Sequence, residues 1–290
     1  MASSITQGKT YIPYLDEVYK NAALTAVLDA GENLVQVAAN GKDLLVAKTA
    51  LVGLGTSSRA GDYQEGDITF AWETLTPSFD RNRMFKVDAM DNLETVGMAF
   101  GTLSTEFIRT QVVPEVDAYR FATYAGTTNI STVNGATLSN AAETVAALRV
   151  AINTMDEDEV SPEDRYLFIT PTLEGYLRDQ DTTASKDVLN RFAGIIRVPQ
   201  TRFYTQIDQL TGASNTASGG FIKNSAAGKD INFMIVQKNA VVQAQKHVAP
   251  KIVTPEQNPD ADCWKFGYRV YGIAEALDNK VDGIYLHKKA

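Results

Sequence analysis

A single cysteine, Cys263, in 290 residues excludes an internal disulfide. With no histidine or second cysteine beside it, this thiol reads as a small packed side chain and not as a nucleophile. Histidine is nearly as scarce. His247 and His287 lie far apart, each next to a lysine, with no carboxylate or cysteine at ligand spacing, which argues against a metal site. No apolar run approaches the roughly 18 residues that a membrane-spanning helix needs, and the opening MASSITQGKT has neither the basic cluster nor the apolar stretch of a secretory signal. The expectation is a soluble chain made in a cytoplasm, without a membrane partner.

The motifs of common chemistries are missing too. Gly53-Leu54-Gly55 lacks the third glycine of a dinucleotide loop, no glycine-rich loop ends in Lys-Ser or Lys-Thr, and no Gly-x-Ser-x-Gly elbow occurs. The acidic run Asp156-Glu157-Asp158-Glu159 offers paired carboxylates, but a run of four acids closing a helix reads as a solvated loop and not as an acid/base pair. We therefore expect no enzyme, no catalytic residues and no cofactor. Basic residues number 27 against 35 acidic ones, a net charge of -8, so little Lys and Arg is left to neutralise a phosphate backbone.

What remains is a chain with 44% hydrophobic residues, enough for a sizeable core. Residues 11–30 carry a short amphipathic pattern behind a polar arm. Val35-Gln36-Val37 and Leu44-Leu45-Val46 flank Asn40-Gly41 and read as strands about a turn. Ile68 to Leu75 and Arg81 to Ala89, separated by Thr76-Pro77-Ser78, read as the two arms of one long hairpin carrying aromatics and charges together. Asp91 with Glu94 suggests a capped helix start, and apolar positions from Leu93 to Tyr119 extend a helix over 92–125, about 50 Å if unbroken, with a bend at Pro114. Asn140 and Glu143 cap a second helix, and Arg165 to Thr170 reads as a buried strand entering a helix at Pro171. Gly212 to Gly220 is a small-residue loop, and the last third is rich in strands.

The segments Gly66-Asp67-Ile68-Thr69-Phe70-Ala71-Trp72-Glu73-Thr74, Phe79-Asp80-Arg81-Asn82-Arg83-Met84-Phe85-Lys86-Val87-Asp88-Ala89-Met90-Asp91 and Val112-Val113-Pro114-Glu115-Val116-Asp117-Ala118-Tyr119-Arg120 carry a resemblance. The chain resembles the major capsid proteins of tailed bacteriophages, the Hong Kong ninety-seven-like fold, of the kind found in phages and prophages of Gram-positive hosts. That resemblance implies an α+β fold: an N-terminal arm at 1–30, a peripheral domain at 31–59 and 91–130 with a long spine helix, and an extended E-loop hairpin at 60–90 lying over a neighbouring subunit. It further implies an axial α/β domain at 131–235, and return strands at 236–290 mainly to the peripheral domain.

The implied function is self-assembly into pentamers and hexamers of an icosahedral virion shell enclosing double-stranded DNA, without sequence-specific binding, in the cytoplasm of a bacterial host. A portal protein and, because the chain opens near its arm with Met1, a separate scaffolding protein are the implied partners. Trp72, Phe79, Arg81, Arg83 and Phe85 are expected at the interface between subunits, Pro114 at the bend of the spine. Residues 75–82 are expected to form a dispensable hairpin tip. Lys86 near the base of the hairpin gives no basis for a Lys–Asn cross-link. An encapsulin-like compartment shell and an enzyme of another type are the alternatives.

Overall fold

The computed structural model describes residues 23–29, 36–37, 44–56, 65–94, 103, 105–135, 137–213 and 218–289. Most of the amphipathic segment at 11–30 and part of the spine pattern lie outside them. Strands β1 (Gln36–Val37), β2 (Leu44–Leu51) and β3 (Ile68–Leu75) form one antiparallel sheet, with β2 and β3 paired rung by rung from Leu44 against Leu75 to Leu51 against Ile68. Strand β4 (Phe79–Asp88) belongs elsewhere. Next come β5 (Ser131–Val133), β6 (Arg165–Ile169), β7 (Gly194–Arg197), β8 (Ile207–Gln209), β9 (Phe221–Lys223), β10 (Ile231–Gln237), β11 (Val241–Val253), β12 (Cys263–Ala276) and β13 (Ile284–Lys288). Strand β4 pairs along its length with β12, which pairs on its other side with β11. A five-stranded mixed sheet runs β5-β13-β10-β6-β7, and β8 and β9 make a short ribbon.

The five-stranded sheet is the centre of the larger core because its middle strands are apolar on both faces. Strand β10, Ile231 to Gln237, is buried at every position, as a strand covered from both sides must be. Alternation then sorts its side chains. Leu167, Ile169, Phe233, Ile235 and Tyr285 meet the helices Ala141–Glu157, Pro171–Gln180 and Thr183–Asn190 on one face. Phe168, Met234, Val236 and Ile284 meet Phe121 and Tyr124 of the helix Val113–Ala125 on the other. That helix also packs its Val116 and Tyr119 with Phe79 and Val270 of the β4-β12-β11 sheet, and so joins the two sheets.

Local signals account for several boundaries. Asn140 Oδ1 accepts from Glu143 N at 2.9 Å, and Glu143 reaches back to Ser139 N at 2.7 Å, closing the first turn as the sequence suggests. Pro171 opens its helix after Thr170, whose hydroxyl makes no capping bond. The first spine segment starts earlier than expected: the helix is Ala89–Glu94, and Asp88 Oδ1, not Asp91, accepts the amide of Met90. Before Pro114 the chain makes a π-helical turn, Ile108–Val112, and Pro114 stands in the first turn of Val113–Ala125, where its missing N–H leaves little unmet.

Two expectations are corrected. The arms read as one hairpin do not pair with each other, because Thr76-Pro77-Ser78 is a crossing between sheets and not a tip. Leu75 is anchored with Val242 and Ile273, Pro77 is buried, and Phe79 is anchored with Val116 and Val270, so the segment is pinned to the core at alternate residues. The projecting hairpin is instead β2–β3. The second correction concerns the C-terminal strands, expected to return mainly beside the spine: β12 pairs with β4 and β11 with β12, but β13 joins the five-stranded sheet, its Ile284 and Leu286 filling the same core as Met234 and Val236.

Candidate functional site

Two arrangements stand out once the sheets are placed: an arm that leaves the body, and a buried polar junction that holds the body together. Along β3, Ile68, Phe70 and Trp72 alternate onto one face and are 72%, 58% and 48% exposed. Their cross-strand partners on β2 are Leu51, Thr49 and Ala47, so the face is continuously apolar apart from one threonine. Phe70 and Trp72 meet edge to face with centroids 5.4 Å apart. Among the described residues, the outer rungs of β2 and β3 have no second layer on this face, while the base, at Leu75 and Val46, packs with Val242 and Ile273 of the body. Lys48 adds an ion pair to Asp278 at 3.0 Å.

The remaining expected interface residues have partners inside the chain. Phe79 is 4% exposed and packs on Tyr119 at 4.9 Å between ring centroids. Phe85 packs edge to face on Phe107 at 4.8 Å. Arg81 donates to Glu115 Oε1 at 2.7 Å and to the carbonyls of Leu210 and Gly220 at 2.7 and 3.3 Å. Arg83 donates to the carbonyl of Gly212 at 2.9 Å. These two arginines thus fasten the loop between β8 and β9 onto β4. Gly212 sits at φ 57°, a left-handed conformation that favours glycine, and a Cβ there would stand 2.7 Å from the Arg83 guanidinium and displace it. Burial pushes the Glu115 carboxyl above its ordinary range, although Arg81 pulls the other way. Of the five expected residues, Trp72 alone lies on the exposed face of the arm.

The junction centres on Asp117, fully buried in the helix Val113–Ala125. Its Oδ2 accepts from Leu24 N at 3.0 Å and from Arg202 Nη1 at 3.1 Å; its Oδ1 accepts from Thr25 N at 3.2 Å and Thr25 Oγ1 at 2.8 Å. Arg120 donates to Thr25 Oγ1 at 2.8 Å, and Gln243 of β11 donates to Asp29 Oδ1 at 2.8 Å while accepting from Tyr124 at 2.7 Å. Burial, foremost, raises the Tyr124 hydroxyl far above its ordinary range, so it stays a donor. Nothing in the sequence pattern draws these residues together, since they come from four separate stretches of chain.

Other polar residues singled out in the sequence have structural partners. Asp156 is held by Arg165 at 2.7 Å, Cys263 is buried and accepts from Asn258 Nδ2 at 3.2 Å, and His287 is buried, stacked on Phe233 and bonded to Asn232 at 3.0 Å. Burial lowers the His287 pKa. The side chain of His247 lies outside the described residues. Among the described residues no group of three or more His, Cys, Asp or Glu is placed to hold a metal, and no helix is long and apolar enough to cross a membrane.

No family model matches the sequence, and no curated protein matches it. Solved structures do. The capsid structure of the cyanophage P-SCSP1u superposes with a TM-score of 0.66 at 14% identity, covering 97% of this chain and 92% of that one. The mature capsid of bacteriophage PhiM1 gives 0.60 at 11% identity, covering 98% and 92%. A virus-like particle from Pyrococcus furiosus gives 0.50 at 11% identity, covering 83% and 85%. The chain therefore has the fold of phage capsid proteins, α+β with a projecting hairpin, at identities too low to carry residue roles across.

Proposed function

We propose that this chain is the major capsid protein of a tailed bacteriophage, a structural subunit that self-assembles as pentamers and hexamers into an icosahedral shell around double-stranded DNA. The observation that carries the reading is the extent of the likeness: phage capsid structures match nearly the whole chain and nearly the whole of their own length. An encapsulin-like compartment is the second reading; the virus-like particle speaks for it, but with less of the chain and a lower score. The work of the molecule on this reading is mechanical and not catalytic, and it is done in the virion, with a portal protein and a separate scaffolding protein as assembly partners.

The peripheral part would comprise β4, β11, β12 and the helical spine, and the axial part the five-stranded sheet with its helices, β13 now included. Trp72 would bury its ring against a neighbouring subunit, a gain of order 1.5 to 3 kcal/mol per subunit if fully covered. The π-helical turn before Pro114 supports a bend there, at which the spine would adjust to the different curvature of pentamers and hexamers. Electron microscopy of the purified protein, alone and expressed with a scaffolding protein from the same phage, tests the reading. Capsomers or closed shells support it, and a small oligomer with neither overturns it.

A further inference from the structure

Between the spine and the face of β4 and β12 that looks toward it lies a cavity of about 310 Å³. Alternation sends Arg81, Arg83 and Phe85 to that face of β4, where Arg81 stands beside Val270 and Arg83 beside Tyr268 of β12. Phe107, Gln111 and Glu115 line the facing wall from the spine, and Gly212 and Gly220 of the loop between β8 and β9 close a third side. The apolar end is built of rings. Phe107 meets Phe85 and Tyr268 edge to face, with centroids 4.8 and 6.3 Å apart, and Arg83 stands next to both partners in the sheet.

Charge along this lining does not balance. Arg81 is spent on Glu115 and two carbonyls, whereas the half-buried Arg83 makes one hydrogen bond, to the Gly212 carbonyl, and has no ion pair among the described residues. Two guanidinium groups therefore share one carboxylate, and no other charged side chain among the described residues lines the cavity. A guanidinium holds five N–H donors in a fork that fits a carboxylate, so most of what Arg83 offers is unused by the chain itself. A concave, largely apolar site of this size with a few convergent polar groups is the form that small molecules occupy. We infer that the cavity binds a small amphipathic carboxylate, its anionic end on the Arg83 guanidinium and its hydrocarbon tail against Phe85, Phe107 and Tyr268. Such a ligand touches the spine, both strands and the loop at once, so its binding stabilises the folded subunit. The inference does not depend on the shell reading.

Isothermal titration calorimetry of the full chain with octanoate tests it, with octanol and acetate as controls. Octanoate is expected to bind as one molecule per chain, and each control at least about tenfold more weakly, since octanol lacks the charge and acetate the tail. R83Q should weaken octanoate binding at least about tenfold by removing the charge-assisted bond. V112F, which fills the cavity with a ring and leaves Arg83 in place, should weaken it as much, and thermal melting should show both variants folded. No binding of octanoate, binding of octanol or acetate as tight as that of octanoate, or undiminished binding in either variant would overturn the inference, whatever the chain does in shell assembly.

Discussion

Asp117 and Arg202 form an ion pair at 3.1 Å with side chains only 1% and 4% exposed, tying the helix Val113–Ala125 to the stretch that follows β7. The same carboxylate collects the amides of Leu24 and Thr25, so one side chain secures the start of the described chain, the spine and the larger core at once. Removing it takes this acceptor away from a buried guanidinium and two amides. D117A is expected to lose about 3–5 kcal/mol of stability in urea denaturation. D117L/R202M, which removes both charges, should lose less than the single change, as pairs replaced by apolar groups commonly do.

Glu174 gives a pH signature. Burial alone would raise its carboxyl, but hydrogen bonds from Arg197 and Arg178, with their charges, outweigh that and hold it below the ordinary carboxylate range. A lowered folded pKa means that the unfolded chain binds the proton more readily. The stability this supplies is present above the unfolded value of about 4.3 and is lost as pH falls through the folded one. Melting wild type and E174Q side by side from pH 7 to pH 3 should show the wild-type advantage shrinking below about pH 4. Glu115, whose carboxyl is raised, runs the other way, its contribution declining as pH rises through its window.

Deletion of residues 75–82 should unfold the subunit, since Leu75 and Phe79 are 1% and 4% exposed. Replacing residues 53–66 by Asn-Gly, or making W72A, should leave the melting temperature of the isolated subunit within a few degrees and abolish shells. Calorimetry beside microscopy of the same preparations checks both.

Binding to naked duplex DNA should be weak and indifferent to sequence, weaker than about micromolar at physiological salt, because a net charge of -8 leaves few cations to displace counterions. Fluorescence anisotropy with two unrelated duplexes measures it, and submicromolar binding to either would contradict the expectation.

What the sequence made legible was local. The buried strand at Arg165 to Thr170, the Asn140–Glu143 cap and the Pro171 start each depend on neighbours within a few residues, and each appears where its pattern puts it. Strand existence was also legible at 68–75 and at 81–89, where the structure has Phe79–Asp88, but pairing was not: the break at Thr76-Pro77-Ser78 looks the same whether the chain turns back or crosses to another sheet. What decides is that β12, far along the chain, offers β4 a full-length edge while β2 offers one to β3. For the same reason Arg81 and Arg83 looked available to a neighbour, when Glu115 and the loop at 210–220 already hold them. Asp117 and Arg202 carry no signal at all before the fold unites them.

Electron microscopy of the protein, purified alone and after co-expression with a phage scaffolding protein, tests the central claim most directly. The account predicts rings of five and six subunits and closed shells of uniform diameter; a homogeneous monomer or dimer under every assembly condition would contradict it.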